Sequence, residues 1–211
     1  MTLCYVTDRK SLCVSPVREL DALLEKIEMA ARAGVDWIQI REKDLSGRSL
    51  ARFVLEARKR VPRGCRILIN DRLDVACALE ADGVHLGEGS LPVQEANRLL
   101  RERKLTRDFL LGASTHSLEA AFTAEKVGAD YVVFGPVFAT PSKAPYGPPQ
   151  GIERLTEVCH TLSVPVLAIG GIAVHNAQTC RQAGAAGIAA IRLFQDADDV
   201  AGVVKALRRG Y

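Results

Sequence analysis

Residues 37–43, Trp-Ile-Gln-Ile-Arg-Glu-Lys, alternate as a β-strand does. The two isoleucines would face one way, while Gln39 and Arg41 would face the other. The preceding residues 30–35 are mostly small and apolar, so we expect this strand to enter a core. A guanidinium at position 41 and an ammonium at position 43 suit a phosphate or pyrophosphate. The alternative is an edge strand with one solvated face.

The bulk composition indicates one domain with a sizeable core. The chain has 211 residues, of which 48% are hydrophobic, and a net charge of +3. Its charges are well mixed, with no basic stripe or long apolar run, so we expect neither a nucleic-acid nor a membrane partner. The six cysteines include no Cys-x-x-Cys pair and mostly lie in apolar runs. They predict free thiols in a reducing cytoplasm rather than disulfides or zinc.

Strand-like and helix-like segments alternate along the whole chain, in about eight units. Strict alternation predicts a parallel sheet, and eight units favour a single-domain (β/α)8 TIM barrel over residues 1–211. An open doubly wound sheet is the alternative. The predicted strands are Leu3–Val6, Trp37–Arg41, Arg66–Asn70, Gly83–Leu86, Phe109–Ala113, Tyr131–Phe134, Val164–Ile169 and Gly187–Ile191. The predicted helices cover 17–33, 46–60 with Ser46 as N-cap, 73–79, 92–103, 117–127, 152–162, 174–183 and 200–208.

The carboxyl ends of barrel strands share one face, where activity is built. Basic, amide and hydroxyl side chains follow the predicted strands, with one or two carboxylates among them. They suit an anionic, phosphate-bearing substrate and a divalent cation held by Asp71. The alternative for Asn70-Asp71 is a cap on the next helix. The residues at this face are Asp8, Arg9, Gln39, Arg41, Lys43, Asn70, Asp71, His85, Ser114, His116, Thr140, Ser142, Lys143, Gly170, Gly171 and Arg192.

Two loops add to this face. Residues 135–151 form the longest connection, with Thr140, Ser142 and Lys143 close together, and loops of this length often cover active sites. A solvated, disordered crossover is the alternative. Gly170-Gly171 follows the seventh strand and would let backbone N–H groups approach a phosphate. A tight turn is the simpler explanation for that pair.

A series of short motifs runs along nearly the whole chain. The motifs are Tyr5-Val6-Thr7-Asp8-Arg9, Gln39-Ile40-Arg41-Glu42-Lys43-Asp44, Ile69-Asn70-Asp71-Arg72, residues 81–87, Gly112-Ala113-Ser114-Thr115-His116, residues 128–131, Gly135-Pro136-Val137-Phe138, Thr140-Pro141-Ser142-Lys143 and residues 168–172. In their order and spacing, these motifs resemble the thiamine phosphate synthase family and its sister branch, the thiazole tautomerases.

The resemblance implies a transferase that joins two small-molecule substrates. A hydroxymethylpyrimidine pyrophosphate would lose pyrophosphate, and the nitrogen of a thiazole phosphate would attack the freed methylene carbon, giving thiamine phosphate. By resemblance, the pyrimidine pyrophosphate is bound by Gln39, Arg41, Lys43, Asn70 and Lys143. Asp71 is implied to hold Mg²⁺ and Ser114 to contact the pyrimidine. The thiazole phosphate is implied to lie near Thr140, Ser142 and the backbone of Gly171. We count Lys143, Ser114 and His116 as catalytic candidates.

Two positions depart from the synthase pattern. Ser90 stands where a second Mg²⁺-binding Asp is usual, and a hydroxyl is a poorer ligand than a carboxylate. We hypothesise that Glu88 supplies the missing charge or that a water bridges from Ser90. Arg192 stands where the last strand is usually followed by Ser. We hypothesise that Arg192 binds the thiazole phosphate directly.

These departures keep two alternatives open. A thiazole tautomerase would move a proton, with His116 as acid and base, and would need neither pyrophosphate nor Mg²⁺. The pyrophosphate ligands argue for the synthase, since a tautomerase has no evident use for Asn70-Asp71. A non-catalytic phosphate-binding barrel is the third reading. The sequence leaves the oligomeric state open and is compatible with a homo-oligomer.

Overall fold

Eight parallel strands close into a barrel in the order β1 to β8, which confirms the predicted fold class. The computed structural model describes residues 1–103, 108–140 and 148–209. Each strand is hydrogen-bonded to its neighbours in sequence, and β8 closes onto β1. The strands are β1 Thr2–Val6, β2 Trp37–Ile40, β3 Arg66–Asn70, β4 Gly83–Leu86, β5 Leu110–Thr115, β6 Tyr131–Phe134, β7 Val166–Ile169 and β8 Gly187–Ala190.

A helix follows each strand and packs on the outside of the barrel. Ser46 caps its helix as predicted, because its hydroxyl accepts from the Ser49 N–H at 3.2 Å. The helices are α1 Glu19–Arg32, α2 Gly47–Arg60, α3 Leu73–Ala78, α4 Val93–Glu102, α5 Leu118–Lys126, α6 Gly151–Thr161, α7 Val174–Gln182, α8 Arg192–Gln195 and α9 Val200–Arg209.

Apart from shifts of one residue at helix ends, the predicted and observed helices differ most at two places. The first predicted helix begins as a separate 3₁₀ turn, Pro16–Arg18, and α1 starts only at Glu19. The chain also forms α8 directly after β8, where the sequence predicts only a loop. Four residues are too few to show a helical period in a sequence, so α8 gives no pattern to detect.

Two apolar layers hold the barrel together. The outer layer lies between strands and helices and includes Ile38 and Ile40, both fully buried. The inner layer fills the barrel and includes Val6, Leu68 and Tyr131, with Trp37 packed against it. Side chains alternate along a strand, so Gln39 faces the barrel interior on the same side as Trp37. A buried amide there requires a hydrogen-bond partner.

Three aspartates close the amino-terminal face of the barrel. Each follows a helix, and its carboxylate accepts a backbone N–H at the start of a neighbouring strand. The bonds run from Leu3 to Asp36, from Ile67 to Asp82 and from Leu111 to Asp130, each at 2.7 Å. Charged groups on this face therefore stabilise the strand ends, which leaves the opposite face for function.

The six cysteines are all free thiols, as predicted. Cys4 and Cys180 are buried, and burial raises the pKa of both thiols. In the part of the chain that the structure describes, no helix is both long and apolar enough to cross a bilayer.

Candidate active site

A chain of hydrogen bonds links the ends of three neighbouring strands at the carboxyl face. The Gln39 amide on β2 donates to Asn70 Oδ1 on β3 at 2.8 Å. The Asn70 amide in turn donates to Asp71 Oδ2 at 2.6 Å. Gln39 is 4% exposed, whereas Asn70 and Asp71 are half-buried. The sequence predicted these three residues together, and the structure confirms that they meet.

Asp71 is oriented by its own backbone and by the loop after β4. Its φ of 62° lies in the left-handed region, which aspartate tolerates better than most residues. Asp71 Oδ1 accepts from the Gly87 N–H at 3.1 Å and from the Ser90 hydroxyl. The first helical turn of α3 is capped by Arg72, without a side-chain hydrogen bond. The helix-cap alternative for Asn70-Asp71 is therefore wrong.

Ser90, the position of the departure noted in the sequence, lies directly against Asp71. Glu88 is exposed and makes no hydrogen bond or ion pair within the described residues. Those residues hold no cluster of three or more metal-binding side chains. A cation here would take one carboxylate from this chain, and Mg²⁺ commonly pairs one or two carboxylates with phosphates of the substrate.

Arg41 and Lys43, which we call the cation pair, follow β2 into the same face. Arg41 is half-buried and Lys43 is exposed. Neither side chain forms an ion pair or hydrogen bond within the described ranges, although the Arg41 N–H donates to Thr7 Oγ1 at 2.9 Å. The cation pair therefore adds positive charge beside Asn70 and Asp71 that the fold itself does not neutralise.

Arg9 does not join the cation pair. Its guanidinium donates to Glu42 Oε2 at 2.9 Å and to both oxygens of Asp44 at 2.6 Å, and it lies 3.2 Å from Glu19. Thr7 Oγ1 also donates to Glu42, at 2.6 Å. We call these five residues the Arg9 cluster. The sequence placed Arg9 among the ligand-binding groups; the structure instead neutralises it with three carboxylates.

A second buried network supports Ser114, the penultimate residue of β5. Ser114 Oγ lies 2.8 Å from His85 Nε2, and the Tyr131 hydroxyl lies 3.1 Å from His85 Nδ1. Burial lowers the pKa of His85 to about 4, against a smaller opposing effect of the Asp71 charge. His85 is therefore neutral near pH 7.

Sequence reasoning placed His85 at this face but missed Tyr131. The residue that could have indicated this contact is Gly112. In the strand register it lies opposite His85 on β4 and opposite Tyr131 on β6. A Cβ on Gly112 would lie 2.1 Å from the Tyr131 ring, so glycine is required for the phenol to cross β5.

His116 follows β5, near the start of the loop after β6. Its Nδ1 contacts the Gly135 carbonyl oxygen. A carbonyl only accepts, so Nδ1 carries a proton, and in the neutral ring Nε2 is the nitrogen with the lone pair. Nε2 has no hydrogen-bond partner within the described residues.

The remaining predicted ligands lie around β6 to β8. Gly171 has a φ of 65°, and a Cβ there would lie 2.6 Å from the Ala139 carbonyl oxygen, so a side chain would collide with the loop after β6. Thr140 lies on that loop and is half-buried. Arg192 is the first residue of α8 and is exposed. Ser142 and Lys143 lie outside the described residues.

The family model for thiamine monophosphate synthase matches residues 3–194 of the chain. The chain belongs to this family. The sequence resemblance is thereby confirmed, and the family makes the chain a transferase of thiamine biosynthesis. The match includes β1 from its second residue, the seven other strands and all the described site residues above.

Individual relatives agree with the family match. A thiamine-phosphate synthase from Syntrophomonas wolfei is 37% identical over 99% of this chain and 95% of its own. One from Chlorobium phaeobacteroides is 40% identical over 97% and 93%. Among solved structures, thiamine phosphate pyrophosphorylase from Pyrococcus furiosus superposes with a TM-score of 0.84 and 32% identity, over 99% of this chain and 94% of that one.

Proposed function

We propose that the protein is a Mg²⁺-dependent thiamine-phosphate synthase, condensing a hydroxymethylpyrimidine pyrophosphate with a thiazole phosphate. The observation that carries the proposal is the Gln39–Asn70–Asp71 chain beside the cation pair. Family members of the synthase type need such a site for a pyrophosphate, whereas proton transfer on a thiazole carboxylate does not.

The leaving pyrophosphate would bind at the carboxyl ends of β2 and β3. Arg41 offers a planar fork of donors and Lys43 a mobile point charge, and both suit phosphate oxygens. Because neither is paired within the described fold, their charge is available as the C–O bond breaks and negative charge grows on the leaving group. Lys143 is proposed as a third cation for the same group, by resemblance.

The residues present fit one Mg²⁺ ion. Asp71 would be its carboxylate ligand, with the Ser90 hydroxyl beside it or reached through water. The chemistry supplied by a bound Mg²⁺ is neutralisation of charge on the pyrophosphate. Glu88, exposed nearby, remains a proposed source of additional negative charge.

The protein's part in the chemical step is mainly positioning. Ser114 would hold the pyrimidine while its methylene carbon loses pyrophosphate, and the thiazole nitrogen would then form the new C–N bond to that carbon. The thiazole phosphate would lie on the β7–β8 side, against the backbone of Gly171 and the side chains of Thr140, Ser142 and Arg192. The two substrates would therefore approach from opposite sides of the barrel mouth.

The first experiment incubates the purified protein with both substrates and Mg²⁺ and assays thiamine phosphate and pyrophosphate. We expect equal amounts of both products, and none after chelation of the metal. Absence of product with both substrates and Mg²⁺ present would overturn the proposal.

A second experiment separates the metal candidates. Asp71→Asn should raise the Mg²⁺ concentration for half-maximal rate strongly, whereas Ser90→Asp should lower it by adding a carboxylate. Glu88→Gln, at an exposed position, should raise it only if Glu88 supplies charge. An unchanged Mg²⁺ requirement in Asp71→Asn would exclude Asp71 as the ligand.

His116 favours one second candidate, a thiazole tautomerase. Its Nδ1 is held by a carbonyl, so Nε2 is left as a base. The same protein should therefore be assayed with the thiazole carboxylate phosphate. Turnover that is abolished in His116→Ala, without any thiamine phosphate synthesis, would replace the synthase by this activity.

We also propose that the protein works in the cytoplasm, because all six cysteines are free and a reducing compartment keeps them so. Thiol titration of freshly isolated, denatured protein should find six reactive thiols. A lower number would indicate oxidation and a different compartment.

A further inference from the structure

The Ser114 hydroxyl shares a hydrogen bond with His85 of the buried His85–Tyr131 pair, and the direction of that bond decides what Ser114 offers a ligand. We propose that His85 carries its proton on Nε2 and donates it to Ser114, so that Ser114 presents its own proton to a ring nitrogen of the pyrimidine. His85 is then a positioning residue acting through Ser114. The first part concerns the free protein, and the second rests on the proposed function.

The argument starts at the Tyr131 phenol. It is fully buried, and burial raises its pKa well above the usual range, so the hydroxyl keeps its proton. Within the described residues, its hydrogen-bond partner is His85 Nδ1, at 3.1 Å. The phenol proton therefore has one acceptor, the Nδ1 lone pair. A proton on Nδ1 would leave a buried phenol donor without a partner, which proteins rarely tolerate.

The rest follows from the chemistry of a neutral imidazole. If Nδ1 accepts from Tyr131, the single ring proton resides on Nε2. His85 Nε2 lies 2.8 Å from Ser114 Oγ, so this N–H donates to the serine oxygen. The serine proton is then not used by His85, and no other acceptor for it lies within the described residues. Ser114 is half-buried and lies near the carboxyl end of β5.

The opposite tautomer would give a different site. Ser114 would donate to Nε2 and would offer a ligand only its lone pairs. Lone pairs match the exocyclic amino group of the pyrimidine, whereas a free hydroxyl proton matches an unprotonated ring nitrogen. The tautomer of His85 therefore decides whether Ser114 binds the amino group or a ring nitrogen of the pyrimidine.

The surrounding packing holds the arrangement. The Trp37 ring lies edge-on to Tyr131 with centroids 4.8 Å apart, and the His85 and Tyr131 centroids are 5.6 Å apart. Gly112 leaves the space through which the phenol passes. These contacts fix the position of the phenol, so Tyr131 stabilises the Nε2-protonated tautomer of His85.

The direct test is long-range ¹H–¹⁵N correlation NMR of the ligand-free protein, with His85 assigned from His85→Gln. We expect an Nε2-protonated imidazole, and a mixture of tautomers in Tyr131→Phe, which removes only the phenol hydroxyl. A proton on Nδ1 in the wild-type protein would overturn the proposal. This measurement does not depend on enzymatic activity, so it remains decisive if the synthase assignment fails.

Two substitutions at His85 form a matched kinetic test. The Gln amide can place an N–H near the position of Nε2, whereas the shorter Asn amide places it near Nδ1, out of reach of Ser114. We expect the KM for the pyrimidine pyrophosphate to rise ~10-fold in His85→Asn, as for loss of one neutral hydrogen bond, with kcat affected less. His85→Gln should recover most of that loss.

A double-mutant cycle separates this role from simple packing. In a Ser114→Ala background, His85→Asn should add little to the rise in KM, because the two residues act as one unit. Equal effects of Asn and Gln at position 85, or full additivity with Ser114→Ala, would show that His85 serves packing alone and would overturn its positioning role.

Discussion

The four residues after β2 alternate between two environments. Arg41 and Lys43 form the cation pair, which has no carboxylate partner in the described chain. Glu42 and Asp44 belong to the Arg9 cluster, in which every carboxylate contacts the Arg9 guanidinium. Glu42 is buried, whereas Lys43 next to it is exposed. A single loop thus carries both the charges proposed to bind a ligand and two of the carboxylates that pair with Arg9.

The comparison shows how two arginines that follow neighbouring strands acquire different roles. The Arg9 charge is neutralised inside the fold, so it stabilises the loop and is not available to a ligand. Hydrogen bonds to Asp44 and Glu42 raise the pKa of Arg9 despite its burial. The Arg41 side chain has no ion-pair partner within the described residues, and we propose that its charge binds an anionic substrate. Four predictions test whether the two environments are separate.

The largest effect is expected for Arg41→Ala. Loss of one cation aimed at the leaving group should lower kcat/KM ~10²–10³-fold, because that charge acts as the C–O bond breaks. The free energy of unfolding should change little, since the Arg41 side chain has no hydrogen-bond or ion-pair partner within the described residues. Steady-state kinetics and urea unfolding measure both. Arg63→Ala, at an exposed position before β3, is the control and should leave both unchanged.

Glu42→Ala should act in the opposite way, mainly on stability. It removes a buried partner of Arg9 and of Thr7, which should cost about 3 kcal/mol of unfolding free energy. Glu56→Ala, which breaks an exposed pair with Lys59, should cost ~0.5 kcal/mol or less. Similar losses in the two variants, measured by urea unfolding, would mean that the Arg9 cluster is not a structural unit.

A smaller effect is expected for Lys43→Ala. The exposed ammonium should contribute about tenfold to kcat/KM at low salt, and less at high salt, because ions screen exposed charges. Rate measurements over a range of ionic strength test this. A salt-independent loss would place Lys43 in direct, desolvated contact with the substrate.

The smallest effect concerns pH. Hydrogen bonds from Arg9 and then from Lys10 hold the pKa of Asp44 well below its usual range. A carboxyl with a lowered folded pKa adds stability above its unfolded pKa of about 3.9, and this stability is lost as the pH falls through the folded pKa. Asp44 is 43% exposed, so the expected contribution is below ~1 kcal/mol.

Asp44→Asn should therefore be less stable than the wild-type protein at pH 6, and the difference should shrink as the pH is lowered below about 4. Urea unfolding at several pH values measures it. A difference that stays constant from pH 6 to pH 3 would show that the Asp44 charge is not involved.

Much of the site could be predicted because strand ends in a parallel barrel share one face. From the sequence alone, that rule placed Gln39, Asn70 and Asp71 at the carboxyl face of the barrel, and the resemblance implied their roles. It failed for Arg9, since a strand-end position does not show whether a charge is already paired. It also failed for Tyr131, which begins β6 and reaches His85 only because Gly112 leaves room.

The sequence by itself determined the eightfold alternation, the closed barrel, the family and the segments that carry the site, because periodicity and motif order are local properties. The tertiary structure decided which charges are paired, that Asp71 adopts a left-handed backbone conformation beside Ser90, and that His85 lies between Ser114 and Tyr131. Those facts depend on distances between residues that are far apart in the chain. Such distances exist only once the strands are in register and the barrel has closed.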